Sequence, residues 1–556
     1  MKYLKFKLPD KDSSSEFKLG GQNTPIGDKL DSGVRGEIKS GEQFESISGE
    51  IVSSISASKM KLPALMDKWL ENRQRLVMGT PIALKEGAKK LREYKIVIEP
   101  FNLTAIHDIH IERSINKHTS VKLKGYIAPE LSNEYFSLVS QHEYPPISIK
   151  LCDEDGNKTV FFKGFITHFS ESHVGGLLTV TIEAMSHSFR MDLQPHYRTF
   201  QDLSLTYSGI LNYFNSTYPG SSCLMKLDDF EIGHFAAQYH ETDWAFLTRI
   251  FSERNSFLVP GDTYSDIRYY VGMPEVNTFV IDEAVDYSIK KAFAATSERS
   301  EALPYYFYQN ILSYEVITRD FYKLGDRIIF QGKELFVYGI SSKFNGQEMV
   351  HTYQLRDHTG FYTQKQYNAR HIGASLDATV LEVQRDRVLV RVLNDENAEG
   401  SINHWFPYST VYSSPDGTGW YAMPEPGDRV QIYIPDRDEN SAFVSSSVHL
   451  EASNTSRSNP DIKSMKNKYG KEIRFTPDSL IMTNNNGLEI SLVDGEGIFI
   501  ESSQNISISA DGDIDMSSDG ASLTMMGSDE VAITQGGTAM VMNDNISFQG
   551  GKLRIQ

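Results

Sequence analysis

From Lys471 to Gln556 the chain repeats a small apolar unit, and no other feature constrains the fold as tightly. Apolar residues recur as i, i+2 doublets: Ile473/Phe475, Leu480/Met482, Leu488/Ile490, Ile498/Ile500, Ile506/Ile508, Ile514/Met516, Leu523/Met525, Val531/Ile533, Ile546/Phe548 and Leu553/Ile555. Several successive steps are eight residues, with slips to seven, nine or ten, and one doublet near Met540 is blurred. Residues i and i+2 share one face of a strand, while Asn, Asp, Gly and Ser fill the turns between. Two aliphatics per step do not offset the entropy of ordering the whole step, so the repeat needs a core shared with neighbours. A single-chain parallel β-helix takes roughly twenty residues to circle its core. Eight residues span one strand and a turn, which predicts that several chains each supply one strand to every layer. A threefold intertwined prism is the simplest closed arrangement; a plain antiparallel meander is the competing one. The expected core is Ile498, Ile500, Ile506, Ile508, Ile514, Met516, Leu523, Met525, Val531 and Ile533.

Upstream the texture changes four times. Residues 1–92 scatter Gly and Ser with no sustained apolar period before Met60, which predicts a loosely ordered extension. Within it Leu62, Leu65, Met66, Trp69, Leu70 and Leu76 are spaced for one face of a helix, with Pro63 in its first turn. Residues 93–372 alternate strand patterns (Tyr94–Ile98, Ser120–Tyr126, Thr159–Phe165, Leu177–Glu183, Leu335–Ile340, Val350–Leu355) with helical spacing at Thr206–Phe214 and Thr242–Phe251. Period-2 alternation broken by turns such as Asp155-Gly156-Asn157 predicts antiparallel barrels or sandwiches with inserted helices. Over 373–450, strands at Thr379–Val383, Val388–Leu393, Val430–Ile434 and Phe443–Val448 suit a small barrel of the oligonucleotide/oligosaccharide-binding (OB) type. Residues 451–470 are read as a linker, and 471–556 as the strand repeat. The fold class expected is therefore mainly β.

Charge narrows the partners. Lys plus Arg number 55 against 73 Asp plus Glu, a net charge of −18, which argues against nucleic acid or an anionic membrane as the main partner. The OB-type barrel does not change this, because Arg387, Arg391 and Arg429 are balanced by Asp395, Glu396 and Asp428. No run approaches the roughly 20 apolar residues of a membrane span. The start Met1-Lys2-Tyr3-Leu4-Lys5-Phe6-Lys7 lacks the continuous apolar core of a signal peptide. Cys152 and Cys223 lie far apart, outside any CxxC pair, and are expected to be free thiols.

The order of textures over residues 93–556 resembles the VgrG spike proteins of type VI secretion systems and their relatives in phage-derived extracellular injection particles. Gln238 to Ile250 (Gln238-Tyr239-His240-Glu241-Thr242-Asp243-Trp244-Ala245-Phe246-Leu247-Thr248-Arg249-Ile250) looks like the family's hub helix. Gly419-Trp420-Tyr421-Ala422-Met423-Pro424-Glu425-Pro426-Gly427-Asp428-Arg429-Val430 looks like its barrel signature, with Trp420, Pro424, Gly427 and Asp428 as its characteristic positions. The resemblance implies a homotrimer in which two hub barrels per chain form a ring facing an inner-tube protein, an OB-fold follows, and an intertwined triple-stranded β-helix needle points at the target. It implies assembly with baseplate proteins, transient contact with a target membrane, possible effector cargo, and a tip protein of the PAAR type near Gln556. Such a protein is made in the cytoplasm, assembled at the baseplate end of the particle and expelled on firing. Three departures are visible: residues 1–92 have no family counterpart, Leu450–Lys471 is too short for the muramidase some phage relatives insert, and no histidine follows His449 to supply a metal-binding tip. For the signature itself, a tight turn at Gly427-Asp428 is expected to deliver Val430 into its strand, with Trp420 buried beside it.

Nothing in the sequence announces catalysis. GxxxxGK[ST], GxSxG, HExxH and paired CxxC patterns are absent. His107 and His110 form the only close histidine pair, and odd spacing puts them on opposite faces if the segment is a strand. Asp511, Asp513, Asp515 and Asp519 are acidic turn residues without the later Glu of an EF-hand, read as solvated turns with at most a weakly held cation. The expectation is a non-enzymatic mechanical spike and hub without cofactors. The alternative is a phage tailspike-like protein that binds or cleaves glycans, for which an aromatic groove is required. Only Phe499 and Phe548 follow Phe475 as aromatics.

Overall fold

Alternating burial along the strand Lys117–Tyr126 shows how the region 93–372 folds: Thr119, Val121 and Leu123 are buried while Lys122 and Lys124 are exposed. Side chains on a strand point to opposite faces in turn, so this pattern belongs to a sheet with one covered face. The computed structural model describes residues 95–152, 156–274, 277–281, 285–292, 311–448, 457–552 and 554. The helix expected at Leu62–Leu76 lies outside the described residues, as does the rest of the extension 1–92. The described chain forms two compact units. One comprises the described residues up to Arg190 with Tyr218–Leu227 and Phe251–Gln364; the other comprises Met191–Thr217, Asp228–Ile250 and the described residues from Lys365 onward. The region read from sequence as one hub, 93–372, is thus shared between them.

In the first unit one sheet of twelve strands runs Lys95–Glu99, Pro146–Cys152, Lys158–Val174, Leu177–Ser186, Lys117–Tyr126, Ala105–Ser114, Lys333–Phe344, Met349–Arg356, Ile311–Thr318 and Asp286–Ala292. Arg327–Phe330 and Thr278–Val280 branch from Lys333–Phe344. Two halves meet where Ala105–Ser114 pairs antiparallel with Lys333–Phe344, Ile111 opposite Ser342. Each half has its own core, one around Ile109, Leu123, Ile149, Phe162 and Ile182, the other around Tyr314, Phe330, Val337, Tyr353 and Leu355. Register shifts at Ile149/Lys150 and Ile166/His168 bend the seventeen-residue strand Lys158–Val174 over the first core. The expected barrels therefore take the form of one continuous sheet covering two cores.

A buried charge sits at the junction. Arg113 turns inward, bonds Asp262 at 2.5 Å and the Phe161 carbonyl at 2.8 Å, and lies against the Phe161 and Phe321 rings at 4.6 and 5.4 Å. His351 is fully buried with Nδ1 2.8 Å from Ser342 Oγ. Burial first, and the Arg113 charge second, push its pKa down to about 3. Below the ordinary histidine value the unfolded chain takes up a proton that the folded first unit refuses. Stability is therefore lost as pH falls from roughly 6.5 toward 3, by on the order of a few kcal/mol. His351→Gln, which keeps a donor for Ser342, is expected to flatten this slope in urea unfolding measured across that range. An identical slope in the variant would remove His351 as its source.

The second unit opens with Pro195–Phe200 paired antiparallel to Ala236–Thr242. The two helical segments expected from spacing are present as helices Tyr207–Thr217 and Asp243–Ser252. A five-stranded barrel follows: Ala374–Gln384, Arg387–Val392, Trp405–Pro407, Arg429–Ile434 and Phe443–Ser445, in sheet order third, second, first, fourth, fifth. A parallel bridge from Tyr408 to Val444 brings the third strand to the fifth and closes the ring. Leu376, Ala378, Val390, Phe406, Val430, Ile432 and Val444 fill it.

Candidate functional site

The C-terminal strands carry the feature that most needs explaining. Lys463–Lys466, Glu472–Phe475, Ser479–Thr483, Leu488–Val493 and Gly497–Ser502 form one antiparallel meander, and Val531–Gln535, Thr538–Met542 and Ile546–Gln549 form a second. The first begins at Lys463, eight residues before 471 and so within the segment read as a linker, where Met465 is the only apolar residue of its strand. Within one chain, then, the meander expected as the competing arrangement describes both ends of the repeat. Between them, no strand partner exists for 503–530 among the described residues.

Pairing sets the doublets directly opposite one another. Met465, Ile473, Met482, Ile490 and Ile500 make one cross-strand row; Phe475, Leu480, Leu492 and Ile498 make the next. In the second meander Ile533, Met540 and Phe548 align, as do Val531, Met542 and Ile546. Met540/Met542 is thus the doublet that the sequence blurred. These faces are bare: Ile498 is 70%, Ile500 56% and Ile533 59% exposed. The unpaired middle carries its doublets in the same state, with Ile508 71% exposed and Ile506, Ile514, Met516, Leu523 and Met525 exposed too. Apolar rows left exposed on the strands of both meanders have the composition of an interaction surface. The polar side is as uniform, since between Phe475 and Gly551 there are twelve Asp and Glu and no Lys, Arg or His. Where the first meander starts, Glu472 accepts from Arg474 Nε at 2.9 Å, Arg474 Nη2 at 2.7 Å and Asn485 Nδ2 at 2.8 Å, which holds its carboxyl at about 2.

The barrel signature does what was expected at its turn and not at its tryptophan. Gly427 adopts φ +96°, which favours glycine, and Asp428 N donates to Glu425 O at 3.0 Å while Asp428 Oδ2 accepts from Glu425 N at 2.8 Å. Gly427 N and Asp428 O both bond Val380, and Val430 enters the core. Pro424 is buried within this turn's approach. Trp420, expected to be buried, is instead 59% exposed. The barrel core is already filled by smaller aliphatics and Phe406, and the segment bearing Trp420 folds back on itself as a hairpin.

The segment likened to a hub helix is fixed by buried charge. Arg249 donates through Nη1 to Glu439 at 2.8 and 3.1 Å, through Nε to Glu241 at 3.0 Å, and through Nη2 to the Ala237 carbonyl at 2.8 Å. His371 Nε2 donates to the same carbonyl at 3.0 Å, with its Nδ1 3.1 Å from Glu439 Oε2. Although burial opposes it, the Arg249 charge beside Glu439 holds that carboxyl at about 2, while burial outweighs the shared arginine at Glu241 and raises it. At the helix start Asp243 accepts from Arg198 Nη1 at 2.5 Å and Gln238 Nε2 at 2.8 Å. No local pattern signals this cluster, because Glu439 lies 190 residues from Arg249 in sequence.

Among the described residues no group of three or more His, Cys, Asp or Glu is placed to hold a metal. His107 lies at a bulge and meets the Tyr126 ring edge-on, while His110 Nε2 reaches Ser341 Oγ at 3.1 Å. Cys152 and Cys223 are not joined in a disulfide, and burial pushes the Cys223 thiol up to about 12. Among the described residues, no helix is long and apolar enough to cross a membrane.

No family profile matches the chain, and no curated protein matches it. Among solved structures it is similar to an E. coli protein, c3393, described as a component of the type VI secretion system with structural similarity to the T4 bacteriophage tail proteins gp27 and gp5. The identity is 13%, over 64% of this chain and 100% of that one, at a TM-score of 0.44. It is also similar to a chain of the Francisella PdpA–VgrG complex in a half-lidded form, with 12% identity, 84% of this chain and 96% of that one covered, and a TM-score of 0.48. A 43 kDa tail protein of prophage MuSo2 from Shewanella oneidensis is 10% identical over 49% of this chain and 100% of that one, at a TM-score of 0.37. The chain itself is a mainly β protein of several sheets.

Proposed function

We propose that this chain is the spike and baseplate hub of a contractile injection machine, working as a homotrimer and by force rather than by catalysis. The observation that carries the reading is the run of exposed apolar doublets, aligned row on row in two meanders and joined by a stretch, 503–530, without a strand partner among the described residues. Three copies related by a threefold axis supply what one lacks: the bare faces turn inward to make a common core, and the middle strands of each chain find partners on the others. Such a needle has few free edges and no easy partial unfolding, which gives it kinetic resistance suited to puncturing an envelope. Its outer surface is acidic and almost without aromatics, so it does not adhere to lipid on passage. In this reading the hub sheets face the inner tube, the OB-type barrel connects hub to needle, and cargo or a tip protein rides on the assembled particle.

Light scattering on the full chain and on a chain ending at Asn467 tests the proposal. A trimer for the full chain, weakened or lost in the truncation, is expected. A stable monomer with a folded C-terminus would overturn the reading and turn attention to glycan binding.

A further inference from the structure

The barrel connection that carries Trp420 is a built hairpin. Ser413 and Gly419 bridge antiparallel, Trp420 N donates to Tyr412 O at 2.8 Å, and Ser414 N donates to Thr418 O at 2.9 Å. Asp416 Oδ1 closes the tip by accepting from Thr418 N at 3.0 Å and Thr418 Oγ1 at 2.7 Å. Gly419 has φ +140°, and a Cβ there would lie 2.3 Å from Tyr412 O, so the hairpin admits no side chain at that point. Tyr421 is anchored by its hydroxyl, which donates to the Arg385 carbonyl at 2.9 Å. Yet this fixed element turns its large side chains outward: Val411 is 85%, Tyr412 53%, Trp420 59% and Tyr421 75% exposed. Ordered aromatics held in water are the composition of an interface centre rather than of a solvated loop.

Its base shows which surface it continues. Glu425 accepts from Lys468 Nζ at 2.5 Å, and Lys468 lies in the turn between the first two strands of the C-terminal meander. On that turn and the strand before it, Tyr469 is 72% and Met465 55% exposed, and Met465 begins the first apolar row. The aromatic patch therefore adjoins the bare sheet face on the same unit.

We propose that in the assembled protein this hairpin is an inter-chain clasp: Trp420 and Tyr421 lie against a second copy of this chain, at the barrel end of the needle. The inference rests on the trimer reading above and adds to it a contact outside the strand repeat. The clasp joins barrel to needle across copies, so that force on the needle passes into all three barrels rather than through one backbone linker each.

A benzophenone-bearing phenylalanine placed at Tyr421 in the full chain, co-expressed in two differently tagged versions, tests this directly. Irradiation of the purified protein is expected to give covalent species joining the two tags, with the crosslinked peptides falling in residues 365–502 of the second copy. In parallel, the double variant Trp420→Ser with Tyr421→Ser is expected to remain trimeric by mass but to dissociate at least about tenfold faster in urea, because aromatic anchors mainly slow dissociation. A trimeric mass with crosslinks only inside one chain, or none, overturns the clasp and leaves the trimer intact. Crosslinks in lysate to a different protein and none in the purified trimer also overturn it, assigning the patch to cargo or a baseplate partner. A monomeric mass removes the trimer and the clasp together.

Discussion

Ile508→Asp is expected to abolish the trimer or to cost it several kcal/mol. The side chain is 71% exposed in one chain, so a monomer tolerates the change. At a threefold axis the same substitution brings three carboxylates into one apolar layer. Each must either stay ionised without a partner or take up a proton and remain unbonded, and both are costly in low dielectric. In the proposed needle the neighbouring Ser507 falls on the face opposite the doublet, so Ser507→Asp adds the same charge where water reaches it and is expected to leave mass and melting nearly unchanged. Light scattering and thermal melting of the two variants beside the parent check the contrast. If Ile508→Asp melts with the parent, the doublets do not form the common core.

Arg249→Met carries the second large effect, and inside a single chain. Removing the guanidinium leaves Glu439 with only His371 nearby and Glu241 with no cation in contact, both almost fully buried. Breaking a buried pair in this way costs about 3 to 5 kcal/mol. The pH dependence gives the test its sign. In the parent, Glu439 has a folded pKa of about 2, so its contribution is present above the unfolded carboxylate value and is lost as pH falls toward 2. In the variant the two carboxylates are best accommodated protonated, so the deficit against the parent is expected to be largest near pH 7 and smaller at pH 5. Urea unfolding at the two pH values measures this. Adding Glu439→Gln to the variant is expected to recover part of the loss, since a neutral amide replaces an unpaired charge. An equal deficit at both pH values would mean that packing, not charge, is what Arg249 supplies.

How much of this was legible in the sequence depends on whether the signal is local. Doublets at i and i+2 state their own face, and pairing put Ile490 opposite Ile500 and Leu492 opposite Ile498 with no help from tertiary context. The helices at Tyr207–Thr217 and Asp243–Ser252 followed from three- and four-residue spacing. The turn at Gly427-Asp428 followed from turn chemistry. By contrast, strand Ala105–Ser114 escaped notice because a bulge at Ile106/Asp108 shifts its alternation and because Arg113 takes an inward position. Helix Ser132–Ser140 buries only Tyr135, too little to write a period. Trp420 misled because size and aromaticity argue for burial, whereas exposure was decided by a core already filled from all five barrel strands. The Arg249, Glu241, Glu439 and His371 cluster is assembled by folding from distant segments, and composition alone does not point to it.

The unevenness of the repeat has a consequence of its own. With Met540/Met542 included, successive doublets from Ile473 begin at residues 473, 480, 488, 498, 506, 514, 523, 531, 540 and 546. Three identical chains with a perfectly regular period would align almost as well after sliding by one step, because every step offers the same kind of apolar pair. Uneven intervals work like a vernier scale: once one chain slides by eight residues against the others, the doublets beginning at 480, 498, 506 and 523 fall on other doublets and the remainder fall out of step. Only the unshifted alignment matches throughout, so in the proposed trimer the irregular spacings would select one assembled needle from a ladder of near-equivalent misassembled ones.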